Sequence, residues 1–389
     1  MNMLKAIHRT ILLGWAVFFV SLAPANAQLF ETSADTAYMI DAGTGSILFA
    51  KNEEKPVPPA SLAKLMTMEV VFHALSIGRL SMDDTFYVSE NAWRTGGAVS
   101  GGSTMFAEVK SEIRLEDLIQ AVIVQSANDG CIIIAEGMAG SEENFARLMT
   151  ERARKIGLEN SVFRNSTGLP AEGQVVTMKD LARLALHIWK TYPQYYHYYS
   201  QTEFTWNKIL QRNRNPLLRM DIGADGMKTG FTEESGYAIV GSVNREGRRI
   251  FVAMSGMKTD RQRAEEARKI LDWGIRAFES KEIFKAGEII GEADLYGGAK
   301  SGVALRAEGA VSILVPITNR DRLIARIVYD GPVDVPVEEG APIGALKVWI
   351  GDTLSQETPL FAAESVGKGT LQQRAVDAIE ELMIGWLRG

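Results

Sequence analysis

The hydrophobic period of this chain changes near Lys285, and a chain that changes period needs two kinds of core. Upstream, apolar residues recur at three- and four-residue steps, as in Leu62, Leu65, Met66, Val70. That spacing predicts helices over 61–75, 115–139 with a break near Ser126, 142–156, 178–189 and 261–278. Between them, 37–40 and 46–50 flank a D-A-G-T-G turn and read as a β-hairpin, and 227–231, 235–243 and 248–255 read as strands. Residues 94–104 are glycine-rich and read as a loop. Downstream, strand-like runs at 303–306, 311–316, 323–329, 346–350 and 357–362 are separated by Gly and Pro turns. The expectation is an α+β domain with an antiparallel sheet and helices over 28–284. A small all-β sandwich should follow over 285–365, then an amphipathic helix over 366–389.

Composition removes several classes. The chain has 389 residues, 46% hydrophobic and 23% charged, which excludes disorder as its main state. With 48 acidic and 42 basic residues, the net charge of −6 argues against a nucleic-acid partner. One cysteine forbids an intramolecular disulfide and a thiolate zinc site; with four histidines, no metal or cofactor is expected. Lys5 and Arg9, an apolar run over 11–22 and Ala25-Asn26-Ala27 follow the order of a secretory signal peptide. Residues 1–27 should be removed on export, leaving 48 acidic against 40 basic residues. No other apolar stretch approaches the length of a membrane span.

Three short motifs carry chemistry. Ser61-Leu62-Ala63-Lys64 places a hydroxyl and an amine three residues apart, on one helix face. A serine hydroxyl needs a base, and free lysine, with a pKa of about 10.4, is neutral in only about one molecule in 2,500 at pH 7. A helix N-terminus disfavours the ammonium and helps. Ser61 after Pro59-Ala60 also fits a plain helix cap. Ser126-Ala127-Asn128 falls at the break in an apolar helical stretch, where its polar groups need partners or a task. Ser126 suits a proton relay, Asn128 a substrate amide; helix capping is the simpler use of both. Lys228-Thr229-Gly230 opens a strand after Asp225-Gly226. Gly230 would let a ligand backbone lie close, and Lys228 would add a positive charge beside Lys64, lowering the Lys64 pKa. An edge-strand turn is the plainer alternative.

Each motif alone is common; their order is not. S-x-x-K, S-x-N and K-T-G in sequence resemble the signature of penicillin-recognising serine enzymes. The longer segments Pro59 to Thr67, Asn128-Asp129-Gly130-Cys131 and Asp225 to Thr232 are similar to those of D-alanyl-D-alanine carboxypeptidases, the low-molecular-mass penicillin-binding proteins. The resemblance covers essentially the whole chain and implies a β-lactamase/transpeptidase-like fold. It implies catalytic roles for Ser61, Lys64 and Ser126, and substrate contacts for Asn128, Lys228, Thr229, Gly230 and Phe231. Backbone N–H groups of Ser61 and Phe231 would form the oxyanion hole. Many members carry His or Thr where this chain has Phe231, which bears on β-lactam preference rather than on the reaction. The family's carboxylate-binding arginine matches Arg263, with Arg261 and Arg268 as neighbouring alternatives; Arg214 matches a second cleft arginine. The implied partners are peptidoglycan pentapeptide stems and, as covalent inhibitors, β-lactams. A DD-endopeptidase, or a penicillin sensor that never turns over, would carry the same boxes. No E-x-x-L-N loop of class A β-lactamases and no G-x-S-x-G elbow is present.

The remaining features read more plainly. Cys131 in an apolar helix is a buried small side chain. Tyr192, Tyr195, Tyr196, Tyr198 and Tyr199 around His197 read as a surface helix end or a packing cluster rather than a carbohydrate face, and His73 and His187 are structural. In the tail, Leu371, Ala375, Ile379, Leu382, Met383 and Trp386 share one helical face. The resemblance implies that it anchors the protein, periplasmic by export, on the outer face of the inner membrane. Packing of that face on the sandwich or on a second copy is the alternative.

Overall fold

The computed structural model describes residues 30–318, 323–351 and 353–375. The signal-peptide segment and the tail beyond residue 375 lie outside them. The described chain begins with the expected hairpin, β1 (Thr36–Asp41) and β2 (Ile47–Lys51). Its turn is shaped by Asp41, whose Oδ1 accepts from the backbone N–H groups of Gly43 and Thr44 at 3.1 and 2.9 Å. After the prolines, a 3₁₀ turn over Ala60–Ala63 runs into α1 (Lys64–Ser76). Helix α1 is buried from Lys64 to Phe72 on every side, so it is a core helix rather than an amphipathic one.

Two short strands, β3 (Thr85–Tyr87) and β4 (Glu112–Arg114), pair with each other. Between them the segment read as a loop contains two helical turns, Ala92–Gly96 and Ala98–Ser100. Its glycines serve packing there: a Cβ on Gly96 would fall 2.5 Å from the backbone nitrogen of Asp129. The long apolar stretch divides into α2 (Leu115–Gln120), a π turn over Ala121–Gln125 and α3 (Asn128–Ala139). Then come α4 (Glu142–Lys155), α5 (Met178–Thr191) and the single turn α6 (Pro193–Tyr196). Ser141 and Thr177 cap α4 and α5, their side chains accepting from the N–H groups of Asn144 and Asp180. A small hairpin, β5 (Glu203–Trp206) and β6 (Ile209–Arg212), leads to three long strands, β7 (Ala224–Thr232), β8 (Gly236–Arg245) and β9 (Arg248–Met257). Helix α7 (Asp260–Arg276), capped by Thr259, ends the domain.

The main sheet is antiparallel in the order β2-β1-β9-β8-β7. Successive residues of β1 face opposite ways. Met39 packs on Gly274 of α7, while Tyr38 belongs to the core that α1 and α5 build on the other face. The tyrosines after α5 are mostly buried, and Tyr195 stacks on Phe72 of α1 at 5.1 Å, so of the two plain readings the packing cluster holds and the surface helix end does not. Edge strand β7 lies against the Ser61 turn.

Helix α7 stops at Arg276, and Phe278 already begins a strand. That strand, β10 (Phe278–Phe284), pairs with residues Val311–Pro316 of the second domain. Strand pairing thus joins these 7 residues to the β-rich half although Glu279, Lys281 and Glu282 hide the pattern from a hydrophobicity reading. Strands β11 (Gly291–Tyr296), β12 (Gly302–Arg306), β13 (Val311–Pro316), β14 (Leu323–Tyr329), β15 (Val333–Asp334), β16 (Pro342–Ile350) and β17 (Thr353–Ala362) follow. A six-stranded sheet, β14-β16-β17-β12-β11-β15, shares one core with β13, as in a sandwich: Val311 and Ile313 pack with Leu305, Leu346 and Leu360. The two domains meet at β2. Ser46 donates to Gln356 Oε1 at 2.7 Å, and Ser355 to the Ile47 carbonyl at 3.1 Å.

The first domain also buries one carboxylate. Glu69 of α1 is fully enclosed and accepts from Arg152 of α4 at 2.9 Å and from Tyr192 after α5 at 3.0 Å; His187 stands at 3.3 Å. The carboxylate thereby ties α1 to α4 and α5. Removing one member of such a pair strands the other away from water, at a cost of about 3–5 kcal/mol. Glu69→Ala should lower the unfolding free energy by about 3 kcal/mol in urea titrations, and Glu69→Gln by less. A loss below about 1 kcal/mol for Glu69→Ala would show that water replaces the carboxylate there.

Candidate active site

The turn that carries Ser61 is held in an uncommon conformation. Ala60 has φ of 48°, a region that residues with a side chain rarely occupy. Two glycines from distant segments press on it. Gly168 has φ of 82°, and a Cβ there would lie 1.7 Å from the Ala60 carbonyl oxygen. A Cβ on Gly230 of β7 would lie 3.1 Å from Ala60 Cβ and 3.2 Å from the Ser61 nitrogen. Gly230 therefore makes room first for the protein's own backbone. No side-chain capping bond forms at either end of the 3₁₀ turn, so the helix-cap use of Ser61 is not realised.

Lys64, one turn on, is 1% exposed. Its Nζ lies 2.9 Å from Ser61 Oγ, 2.8 Å from Asn128 Oδ1 and 2.6 Å from the Thr167 carbonyl. No carboxylate pairs with it among these contacts. Loss of water lowers its pKa to about 8, and Arg214 pushes in the same direction. The expected effect of Lys228 on Lys64 runs mainly the other way. Lys228 is held well below the ordinary lysine range, first by burial and then by the Lys64 charge. The contacts also orient the neutral amine. Two partners are carbonyl oxygens, which only accept; the third is a hydroxyl, which can donate. The two N–H bonds of a neutral amine go to Asn128 and Thr167, and its lone pair is left facing the Ser61 proton.

Ser126 ends the π turn with φ of 65°, which swings its hydroxyl towards β7. Lys228 donates to Ser126 Oγ at 2.9 Å and to the Thr229 carbonyl at 3.1 Å. Asn128 begins α3, and its N–H reaches the Ser103 carbonyl at 2.7 Å. Its neighbour Asp129 is fully buried and accepts from Thr104 Oγ1, Met105 N and Ala107 N at 2.6, 3.0 and 3.1 Å. Asp129 thereby fixes the 103–107 loop over the S-x-N segment. At the head of β7, Asp225 pairs with Arg249 of β9 and accepts from Ser242 at 2.9 Å, which holds the K-T-G strand in register. Cys131 is buried behind the site, its thiol pushed up to about 12 by the loss of water, so it stays a neutral spacer.

These groups open onto a cleft of about 550 Å³ that Ser61, Ser126, Asn128, Thr229, Gly230 and Phe231 help to line. Arg214 and Arg263 border the same cleft. Arg263 projects from α7 under Tyr237, its guanidinium 5.6 Å from the ring, and pairs with Asp260. Its Nε is buried without a hydrogen-bond partner. Arg214 is set between Asn213 and Asn215, both buried, with the Asn215 N–H donating to Asn213 Oδ1 at 2.9 Å. Phe231 is 51% exposed and stacks on Tyr237 at 4.4 Å. Of the candidate site residues read from sequence, eight line this cleft, and Lys64 and Lys228 lie buried behind it against Ser61 and Ser126. Sequence reasoning missed Thr167 and Gly168. The signal was the run Asn165-Ser166-Thr167-Gly168, in which Asn165 Oδ1 accepts from the Gly168 N–H at 2.7 Å, an Asx-type turn.

The first domain matches the sequence profile of the D-alanyl-D-alanine carboxypeptidase family over residues 22–259. Residues 278–368 match the C-terminal domain of penicillin-binding protein 5. The D-alanyl-D-alanine carboxypeptidase DacD of Salmonella typhimurium is 34% identical over 382 residues, 95% of this chain and 98% of that protein. DacC of Escherichia coli is 36% identical over 344 residues, 88% of this chain and 86% of the relative. Among solved structures, penicillin-binding protein 5 from Haemophilus influenzae superposes with a TM-score of 0.74 at 33% identity, covering 87% of this chain and 99% of that one.

The position of Lys64 predicts a pH dependence. Only the neutral amine can take the Ser61 proton, and its fraction grows as pH rises through about 8. Acylation of the protein by a fluorescent penicillin should fall about tenfold per pH unit well below that value and level off above it. A stopped-flow profile that stays flat between about pH 6 and 9 would take Lys64 out of the proton transfer.

Proposed function

We propose residue roles from the premise that this chain belongs to the D-alanyl-D-alanine carboxypeptidase family and is a serine D-Ala-D-Ala carboxypeptidase. Ser61 Oγ attacks the carbonyl of the penultimate D-alanine, and its proton passes to Lys64. Backbone N–H groups of Ser61 and Phe231 hold the oxyanion; the close packing of Gly230 on Ser61 brings these two peptide units together. The proton moves through Ser126, beside Lys228, to the nitrogen of the departing D-alanine as the C–N bond breaks. Water then cleaves the Ser61 ester. The observation that carries this reading is the Lys64 amine, buried among two carbonyl oxygens and one hydroxyl.

Asn128, whose oxygen is engaged by Lys64, keeps its NH₂ for the substrate's peptide carbonyl. Arg263, with Thr229 and Arg214, takes the terminal carboxylate; the unpartnered Arg263 Nε supports this. A β-lactam acylates the same serine and blocks it. The near full-length match to carboxypeptidases favours removal of the terminal D-alanine from pentapeptide stems over cleavage of crosslinks or penicillin sensing without turnover.

The cell wall is an extracytoplasmic substrate, so the enzyme works outside the cytoplasm. Residues 1–27 fit the export signal, and the tail fits an interfacial anchor. The first tail turn supports the second point, since Leu371 is 81% exposed rather than packed on the sandwich. No described helix is long and apolar enough to cross a membrane.

On diacetyl-Lys-D-Ala-D-Ala, Ser61→Ala should abolish both hydrolysis and penicillin labelling. Arg263→Ala should lower kcat/KM by about tenfold or more on the free acid and little on the amide, as the loss of a charge-assisted contact requires. Labelling that survives in Ser61→Ala, or equal losses on both peptides for Arg263→Ala, would refute the respective role. In fractionated cells the enzyme should begin at Gln28 and partition with membranes, and deletion of 369–389 should release it active. A full-length protein already free in the periplasm would refute the anchor.

A further inference from the structure

A second groove of about 500 Å³ opens off the catalytic cleft. Gly168 and Thr232 are walls of both, so a ligand can pass from one to the other without leaving the surface. Its far side is built from Pro58, Pro170, Glu172 and Glu234. The wall is pre-organised. Proline fixes its own backbone, and the buried Gln174 clamps the loop from within. Gln174 Oε1 accepts from the N–H groups of Arg164 and Asn165 at 3.0 and 3.2 Å, and its Nε2 donates to the Leu169 carbonyl at 2.8 Å. The same loop presents the Thr167 carbonyl to Lys64, so groove and base are held by one piece of chain.

The two spaces differ in sign. The catalytic cleft is bordered by Arg214 and Arg263 and backed by Lys64 and Lys228, with Asp260 already paired to Arg263. The charged residues lining the groove are Glu172 and Glu234, both exposed, and neither has an ion-pair partner among the described residues. Arg164 borders the groove beside Gly173 without lining it. A peptide whose terminal carboxylate is held at the cationic end must leave the cleft by the other end, and there it meets two free carboxylates.

Building on the carboxypeptidase reading above, we propose that this groove receives the side chain of the residue before the two D-alanines and selects one that ends in a free amine. The groove is then a specificity subsite, and an uncrosslinked stem, whose amine is free, is preferred over one whose amine is already acylated.

The test compares kcat/KM for Nα-acetyl-Lys-D-Ala-D-Ala and Nα,Nε-diacetyl-Lys-D-Ala-D-Ala on the full enzyme. The wild type should prefer the free amine by about three- to tenfold at low salt, as two exposed carboxylates allow, and less at high salt. In the double variant Glu172→Gln, Glu234→Gln the ratio should fall to about one, through KM. The ratio is internal to each protein, so a partly unfolded sample does not alter it. A ratio near one in the wild type, or a ratio unchanged in the variant, overturns the subsite while leaving the enzyme intact. Failure to cleave either peptide would instead overturn the carboxypeptidase reading, and the subsite with it.

Discussion

A lysine amine with no counter-charge, enclosed at the start of a core helix, is the constraint on which this structure turns. Burying an ammonium is unfavourable, and the fold answers by lowering the proton affinity of Lys64 rather than by supplying an acid. That choice dictates the surroundings. Helix α1 must be enclosed on all sides, because any water admitted along it would restore the charge. The polar contacts that remain must be acceptors that cannot take a full proton, and the carbonyl oxygens of Asn128 and Thr167 meet that need. A carboxylate in either place would have returned the pKa to the ordinary lysine range.

The second lysine follows the same logic one step away. Lys228 is buried on the opposite wall, depressed by enclosure and by the first amine. Its hydrogen bond to Ser126 ties strand β7 to the break between α2 and α3. The two lysines thus back the cleft at two points, Lys64 behind Ser61 and Lys228 behind Ser126. Around them the neutralising work is done at a distance. Asp225 pairs with Arg249, and Asp129 bonds to backbone N–H groups, so neither carboxylate approaches the amines closely enough to quench them.

Much of this was legible in the sequence because it is written in side chains. The three boxes, the long helices and the three central strands each carry a residue type or a period that admits few readings. What escaped was written in the backbone. The partner that completes the Lys64 site at Thr167 is a main-chain carbonyl, which any residue could supply, and only the turn-forming Asn165 and Gly168 hint at it. Strand β10 escaped because Glu279, Lys281 and Glu282 occupy a short, half-covered strand beside a helix. The electrostatic order of the two lysines escaped for a different reason. Spacing can say that two amines are near each other, but which of them yields depends on the charges packed around each buried amine: Glu142 and Asp129 raise Lys64, whereas Lys64, Arg214 and Arg263 lower Lys228.

The Lys64 site has a temporal consequence. Its parts come from residues 60–64, 126–128, 165–168 and 228–230, and sequence-distant contacts of this kind form late in folding. In an extended chain Lys64 has the ordinary lysine pKa of about 10.4, and about one amine in 2,500 is neutral at pH 7. At a pKa of about 8 the neutral share is about one in eleven. Folding by itself thus raises the neutral share of Lys64 by about two orders of magnitude. Until residues 126–128, 165–168 and 228–230 close on the turn, Lys64 keeps the ordinary lysine charge, so the depressed amine is a product of tertiary packing and not of the S-x-x-K segment alone.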